Sequence, residues 1–231
     1  MRRWIGAETA KLWSLPASHL TALGTVVASA VLAIAFGAAG GTGVLDVGLA
    51  PVAYGQAGFV VLGVVAVTSE YSGGQIRTTL AAMPRRITQH LAKLVSLALF
   101  AVPAAVVTVV AGVVVAGVVV GDEGVLPQFA EALRAVSGAA AYLTLTALLS
   151  AAIATVIRRT VPVVAGLLVH YFVIGPLLRD RAGFAAYLPD TAGHSMWLHN
   201  GTGALTGSAV VIAWVVLAVA VSTTTFRRRD A

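Results

Sequence analysis

The residue with the clearest potential for proton chemistry is His170, which stands beside Tyr171 in a long apolar run. An ionisable side chain within a membrane span indicates a proton or ion pathway when another ionisable group in the membrane pairs with it. We expect no Asp or Glu inside a span to pair with His170. The sequence therefore favours a neutral histidine bonded to a neighbouring helix, and argues against a proton- or sodium-coupled carrier.

A second group, His194, Met196 and His199, contains the side chains that copper prefers as ligands. On a helix the two imidazoles would point about 500° apart around the axis, and no third strong ligand stands nearby. We predict no metal site here. The segment is interpreted as a re-entrant or interfacial loop that Trp197 anchors.

The sequence gives little support for covalent catalysis or for ATP binding by this chain. The chain contains no cysteine, which excludes thiolate catalysis and disulfides. Ser150 and His170 fall on different apolar runs without an orienting acid, which disfavours an intramembrane hydrolase. No G-x-x-x-x-G-K-[ST] phosphate loop occurs. We predict that the chain is not an enzyme and binds no cofactor.

The elements that must position these residues are membrane helices. Of 231 residues, 58% are hydrophobic and 10% are charged, whereas soluble domains carry about 25% charged residues. Six runs free of Asp, Glu, Lys and Arg are each long enough to cross a bilayer. They predict an all-α, polytopic protein whose single transmembrane domain covers residues 1–231. The predicted spans are about 19–40, 52–69, 94–120, 135–157, 161–178 and 205–226.

The positive charges predict the orientation of these spans. Twelve of the fifteen Lys and Arg residues fall on the side that holds both termini, the connection between spans two and three, and the turn between spans four and five. Cytoplasmic loops collect Lys and Arg, so both termini are predicted to be cytoplasmic. The net charge of +6 is then a topology signal, and we predict no nucleic-acid partner. The segment 124–134, on the other side, is predicted to form a short surface helix.

The first 17 residues form a lead-in to the first span. Trp4, Ile5 and Leu12 share one helical face, but Glu8 lies within the same arc. One interpretation is an interfacial helix on the bilayer surface. The other is that Glu8 and Lys11 contact a partner protein.

The connection between spans two and three, residues 70–93, carries a helix signal. Ser72 and Gln75 form a capping-box pattern, and apolar residues then repeat at helical spacing up to Pro84, namely Ile76, Leu80 and Met83. This pattern predicts a short amphipathic helix that acts either as a docking element or as a membrane-surface anchor. Glu70 is expected to pair with Arg77 or with a basic residue of a partner, or to mark the membrane exit.

This connection resembles a known family. The block 70–80, EYSGGQIRTTL, followed by Pro84-Arg85-Arg86, is similar to the signature of bacterial type-2 ABC exporter permeases. The start Glu8-Thr9-Ala10-Lys11-Leu12 resembles the Glu-x-x-Lys-Leu start of that family. The stretch 187–193, YLPDTAG, resembles an element that recurs before its sixth span.

The resemblance implies the permease subunit of an ATP-driven exporter in the bacterial cell membrane. Its partners would be a cytoplasmic ABC ATPase, which would bind the ATP, and a second permease chain, identical or related. The short helix would couple to the ATPase through Glu70, Tyr71, Gly74, Ile76, Arg77, Leu80, Pro84, Arg85 and Arg86, with Glu8 and Lys11 as a second contact. The substrate would be an amphipathic drug, peptide or lipid-like molecule. The alternative is a structural or regulatory membrane subunit that docks a cytoplasmic partner without transporting anything.

Overall fold

Every regular element in the described part of the chain is helical. The computed structural model describes residues 2–72, 86–121, 127–179, 181–197 and 203–229. The helices are α1 (Arg2–Ser14), α2 (Pro16–Ala38), α3 (Val44–Leu49), α4 (Val52–Ser72), α5 (Arg86–Val120), α6 (Phe129–Ile157), α7 (Thr160–Arg179), α8 (Pro189–His194) and α9 (Ala204–Arg229). Six helical segments are long and apolar enough to cross a membrane, with α3 and α4 counted together. The all-α, six-span prediction is confirmed at this level.

Two predicted features lie partly or wholly beyond this description. Residues 73–85, which include the predicted coupling helix with Gly74, Ile76, Arg77, Leu80, Pro84 and Arg85, are outside the described residues. Tyr71 and Arg86 are described by their helical backbone alone. A helix at the N-terminus is present as α1, whereas its interfacial position stays a prediction.

The centre of the bundle is formed by α6 and the α3–α4 unit. Of the most apolar window of α6, 67% is buried within the protein, compared with 17% for α2 and for α9. Leu143, Ala147 and Ala151 on α6 are completely buried. We infer that α2 and α9 present most of their apolar surface to lipid or to another chain.

Small residues allow the central helices to approach one another closely, as helix packing in lipid requires. A Cβ atom added to Gly63 on α4 would overlap the backbone carbonyl of Ala147 on α6. A Cβ on Gly112 of α5 would stand 2.6 Å from the carbonyl oxygen of Gly48 on α3. These glycines therefore set the distances between the helices that carry the two polar clusters described below.

Three hydrogen bonds show which segments share one end of the bundle. They join Thr9 to Ser96 (3.1 Å), Thr68 to Thr160 (2.9 Å) and His90 to Ser222 (2.9 Å). This end, named the α1 end, thus gathers α1, the last turn of α4, the starts of α5 and α7, and the last part of α9. These are the segments that the charge count assigns to a common side.

The opposite end, named the α8 end, contains a π-helical turn within α7. Residues 170–174 form this turn, and the N–H of Gly175 bonds to the carbonyl of His170, five residues earlier. Pro176 follows directly, and proline has no N–H to donate and clashes with the carbonyl four residues before it. The wider turn gives this proline room, so we attribute the π turn to the Gly175-Pro176 pair.

The predicted surface helix at 124–134 is corrected by α6. This helix begins at Phe129 and runs without a break to Ile157, so residues 129–134 are the first turns of the fourth span. The prediction began the fourth span at residue 135, where its charge-free run begins. The helix in fact begins earlier and includes the charged residues Glu131 and Arg134. Residues 122–126 are outside the described part of the chain.

Candidate functional site

Four charged side chains meet at the α1 end in a cluster, here named the four-charge cluster. It consists of Glu8, Lys11, Glu70 and Lys93, contributed by α1, α4 and α5. Lys93 Nζ lies 2.5 Å from Glu70 Oε2 and 3.7 Å from Glu8 Oε2. Lys11 Nζ lies 3.1 Å from Oε1 of both glutamates. Two cations thus bridge two anions, and three helices are linked by charge.

The cluster is largely shielded from solvent. The side chains of Glu8, Glu70 and Lys93 are 3%, 8% and 11% exposed, whereas that of Lys11 is 42% exposed. Buried charges must be paired, because leaving water costs several kcal/mol per ion. We infer that Lys93 is the internal counter-charge of the two glutamates and that Lys11 closes the cluster toward solvent.

The sequence of α1 explains why Glu8 turns inward. Glu8 and Leu12 are four residues apart and share a helix face, and both are buried. Beside them, Ser96 on α5 donates a hydrogen bond to the carbonyl of Ile5 and accepts one from Thr9. The face of α1 that packs on the bundle is therefore mixed, with apolar and charged contacts together.

The pKa of Lys11 is raised above its ordinary value. Burial is the largest single influence and lowers this pKa, but the carboxylates of Glu70 and Glu8 act together in the opposite direction and outweigh it. Lys11 therefore stays protonated throughout the physiological range. A charged Lys11 keeps α1 tied to α4.

Sequence reasoning located three of the four residues but not their association. It assigned Glu8 and Lys11 to a partner contact and paired Glu70 with Arg77 or with a partner. Glu70 instead pairs with Lys93 and Lys11 within the chain. Arg77 lies outside the described residues, and the partner contacts stay predictions. Lys93 was used only as a topology charge, although its place at the edge of the third apolar run was the available signal.

A cavity of about 310 Å³ opens beside the cluster. Its walls combine the four charged residues with the end of α1, including Leu12, and with apolar residues of α4 and α5, including Ala66 and Leu97. The cavity lies where α1, α4 and α5 converge. A partner that pushed on α1 or on the segment after α4 would act directly on this joint.

A second polar cluster lies at the α8 end and contains His170. Nε2 of His170 is 3.6 Å from Oδ1 of Asp190, and Oδ2 of Asp190 is 3.8 Å from Nη2 of Arg179. The sequence predicted no Asp or Glu inside a span as a partner of His170, and Asp190 stands on α8, outside the six candidate spans. It approaches His170 because α8 folds back against α7, which carries Asp190 from a polar connection into the protein, where its side chain is 2% exposed.

Two glycines allow α8 to pack closely against α6 and α7. A Cβ atom on Gly175 would overlap the carboxylate of Asp190, and one on Gly193 would overlap the ring of Tyr142. Larger residues at either position would move α8 away from α6 and α7. The carboxylate thus depends on Gly175 for its place in the protein.

Of the three side chains considered above as copper ligands, His194 and Met196 lie at the same end. The imidazole of His194 stacks edge-on against the ring of Trp197, with centroids 4.5 Å apart. Burial lowers the pKa of His194, Arg179 lowers it further, and Asp190 opposes the shift. Among the described residues no three His, Cys, Asp or Glu side chains are grouped as metal ligands. His199 is outside the described residues.

Comparison with models of known protein families and with curated proteins found no match to the chain. The resemblance to type-2 ABC exporter permeases therefore stands on the motifs quoted above. The six membrane-length helices and the two polar clusters are observations of this chain itself.

Proposed function

We propose that the chain is the permease subunit of an ATP-driven ABC exporter. The observation that best supports this function is the four-charge cluster. It ties α1 to the end of α4 and to the start of α5, which flank residues 73–85. The cluster thus attaches α1, which the resemblance assigns to the ATPase, to the second and third spans next to the ends that flank residues 73–85.

This arrangement suits the transmission of force. When a partner ATPase closes on ATP, it would displace α1 and the segment 73–85 together, because Glu8, Lys11, Glu70 and Lys93 link their supports. The linked α4 and α5 would then tilt as one body against the central α6. Such rigid-body switching between packed states is a known form of conformational transition. Alternation of these states would open the transport pathway first to one side and then to the other.

The test of this function is reconstitution with the ATPase subunit. We expect the purified chain alone to show no ATP turnover, and its complex with an ABC ATPase to contain two copies of each subunit and to export substrate from vesicles. ATP turnover by the chain alone, or a functional complex with one permease chain, would contradict the proposal. A stable complex that hydrolyses ATP but transports none of a panel of drugs, peptides and lipids would favour the alternative of a regulatory docking subunit.

The proposed orientation can be tested by cysteine labelling. The sequence has no cysteine, so each introduced thiol is the sole reactive site. We expect Asp122→Cys in intact cells to react with an impermeant maleimide, because the charge distribution puts it outside. Arg86→Cys should react only after the membrane is permeabilised. The reverse pattern would overturn the assignment of both termini to the cytoplasm.

A further inference from the structure

A partly open cavity of about 300 Å³ lies at the α8 end between α4, α6, α7 and α8. Aromatic side chains dominate its wall, namely Tyr54, Tyr142, Tyr171, Phe172 and Trp197. Pockets for drug-sized ligands measure about 300–1,000 Å³ and combine apolar walls with a few polar groups. This cavity is at the small end of that range, which fits a ligand built on one or two rings.

Two buried polar atoms that belong to residues lining the cavity have no hydrogen-bond partner among the described residues. They are Oδ1 of Asp190 and Nε1 of Trp197, and their residues are 3% and 7% exposed. A buried polar atom without a partner costs about 1–3 kcal/mol. One of these atoms accepts hydrogen bonds and the other donates them, and both residues line the same cavity.

The surroundings of Asp190 show which interaction is missing. Arg179 already stands 3.8 Å from Oδ2 as a counter-charge, and the hydroxyl of Thr191 donates to Oδ2 at 3.3 Å. His170 is 3.6 Å from Oδ1, which is beyond hydrogen-bond distance. The carboxylate therefore lacks a hydrogen-bond donor at Oδ1 and has no need of a second cation.

A hydroxyl group matches both unpaired atoms, because it donates to a carboxylate and accepts from an indole N–H. Rings in the same ligand would stack on the aromatic wall, where such contacts contribute about 0.5–1.5 kcal/mol beyond area burial. A simple amine would meet the repulsion of Arg179. A purely apolar molecule would leave both polar atoms unpaired.

We propose that this cavity binds a small, uncharged ring compound rich in hydroxyl groups, of the chemical class of an aryl glycoside. Its hydroxyls would pair with Asp190 and Trp197, and its rings would pack against the tyrosines and Phe172. The site is at the opposite end of the bundle from the four-charge cluster. The proposal does not depend on the chain being a permease.

The experiment measures binding of phenyl β-D-glucopyranoside to the full chain in lipid nanodiscs, free of alkyl-glycoside detergent, by saturation-transfer NMR with titration. We expect saturable binding that weakens at least about tenfold in Asp190→Asn, since bonds to charged groups contribute about 1.5–3 kcal/mol. Trp197→Phe keeps a ring but lacks the N–H, so a loss of about 3- to 10-fold is expected. The matched controls are Asp46→Asn and Trp214→Phe. Asp46 is exposed on α3, and Trp214 donates its N–H to the Tyr187 carbonyl outside the cavity.

Each outcome of this experiment either supports or overturns the proposed binding site. Loss of affinity in the two cavity variants, with wild-type affinity in both controls, supports the site. Absence of saturable binding, or equal affinity in all four variants, overturns it and leaves a water-filled cavity. Tighter binding of phenethylamine than of the glycoside, abolished in Asp190→Asn, overturns the ligand class. Should Asp190→Asn fail to fold, Trp197→Phe against Trp214→Phe decides the proposal.

Discussion

Glu70→Gln is expected to lower the free energy of unfolding of this protein by about 3–5 kcal/mol. Removing one partner of a buried ion pair leaves the other charge uncompensated, and this is the range that such losses reach. Here the stranded charge is Lys93, whose side chain is 11% exposed and whose remaining anion, Glu8, is 3.7 Å away. Glu70 is itself buried, with a side chain that is 8% exposed.

The measurement is the free energy of unfolding in mixed micelles, and two further variants serve as comparisons for Glu70→Gln. Asp46→Asn removes an exposed acid from the first turn of α3, so it should cost no more than about 1 kcal/mol. The double variant Glu70→Gln with Lys93→Met removes both members of the pair and leaves Glu8 with Lys11. It should be more stable than Glu70→Gln alone, because no buried charge is stranded. If Glu70→Gln lowered the free energy of unfolding no more than Asp46→Asn does, the cluster would contribute nothing to stability.

Leu80→Asp is expected to abolish substrate-stimulated ATP hydrolysis in the complex with the ATPase. The spacing of Ile76 and Leu80 puts both on one face of the predicted coupling helix. Burying one leucine contributes about 1.5–3 kcal/mol, and a few such anchors dominate an interface. An aspartate in that position would place a charge in the apolar contact with the ATPase. Arg77→Ala should have a milder effect, because water can replace a solvated arginine.

The control for Leu80→Asp is Thr78→Asp, which adds the same charge about 160° away on the helix. Both variants should insert into the membrane normally, and the measurement is ATPase rate in reconstituted complexes with and without substrate. We expect Thr78→Asp to behave nearly like the parent. Complexes of Leu80→Asp that hydrolyse and export like the parent would mean that the segment is only a membrane-surface anchor.

The spans were predictable because a bilayer imposes length and apolarity on every crossing helix. The errors arose where a charge was taken as a boundary. The third span was predicted to begin at residue 94, after Lys93, but α5 begins at Arg86. Lys93 is tolerated inside the helix since Glu70 and Glu8 neutralise it. A prediction from charge-free runs cannot detect a counter-charge that lies 23 residues or more away in the sequence.

The polar clusters were less predictable, and Asp190 shows why. Its sequence context is the connection between the fifth and sixth predicted spans. Its burial depends on Gly175 and Gly193, which let α8 approach α7 and α6. Such tertiary approaches are set by the shapes of several helices at once. The residues next to Asp190 in the sequence do not indicate that α8 approaches α7 and α6.

The π turn in α7 has a consequence for how this span can vary. A π turn contains one residue more than the α-helical phase allows, so the faces of α7 before and after residues 170–174 are offset by about 100°. Deleting a single residue there would restore a continuous α-helix and leave residues 175–179 on their present faces, because the π turn already absorbs that residue. An insertion or deletion of one residue in 160–169 would instead rotate the start of α7 by about 100° relative to residues 175–179. The π turn is therefore a place where this span tolerates a change of length without moving Arg179 away from Asp190.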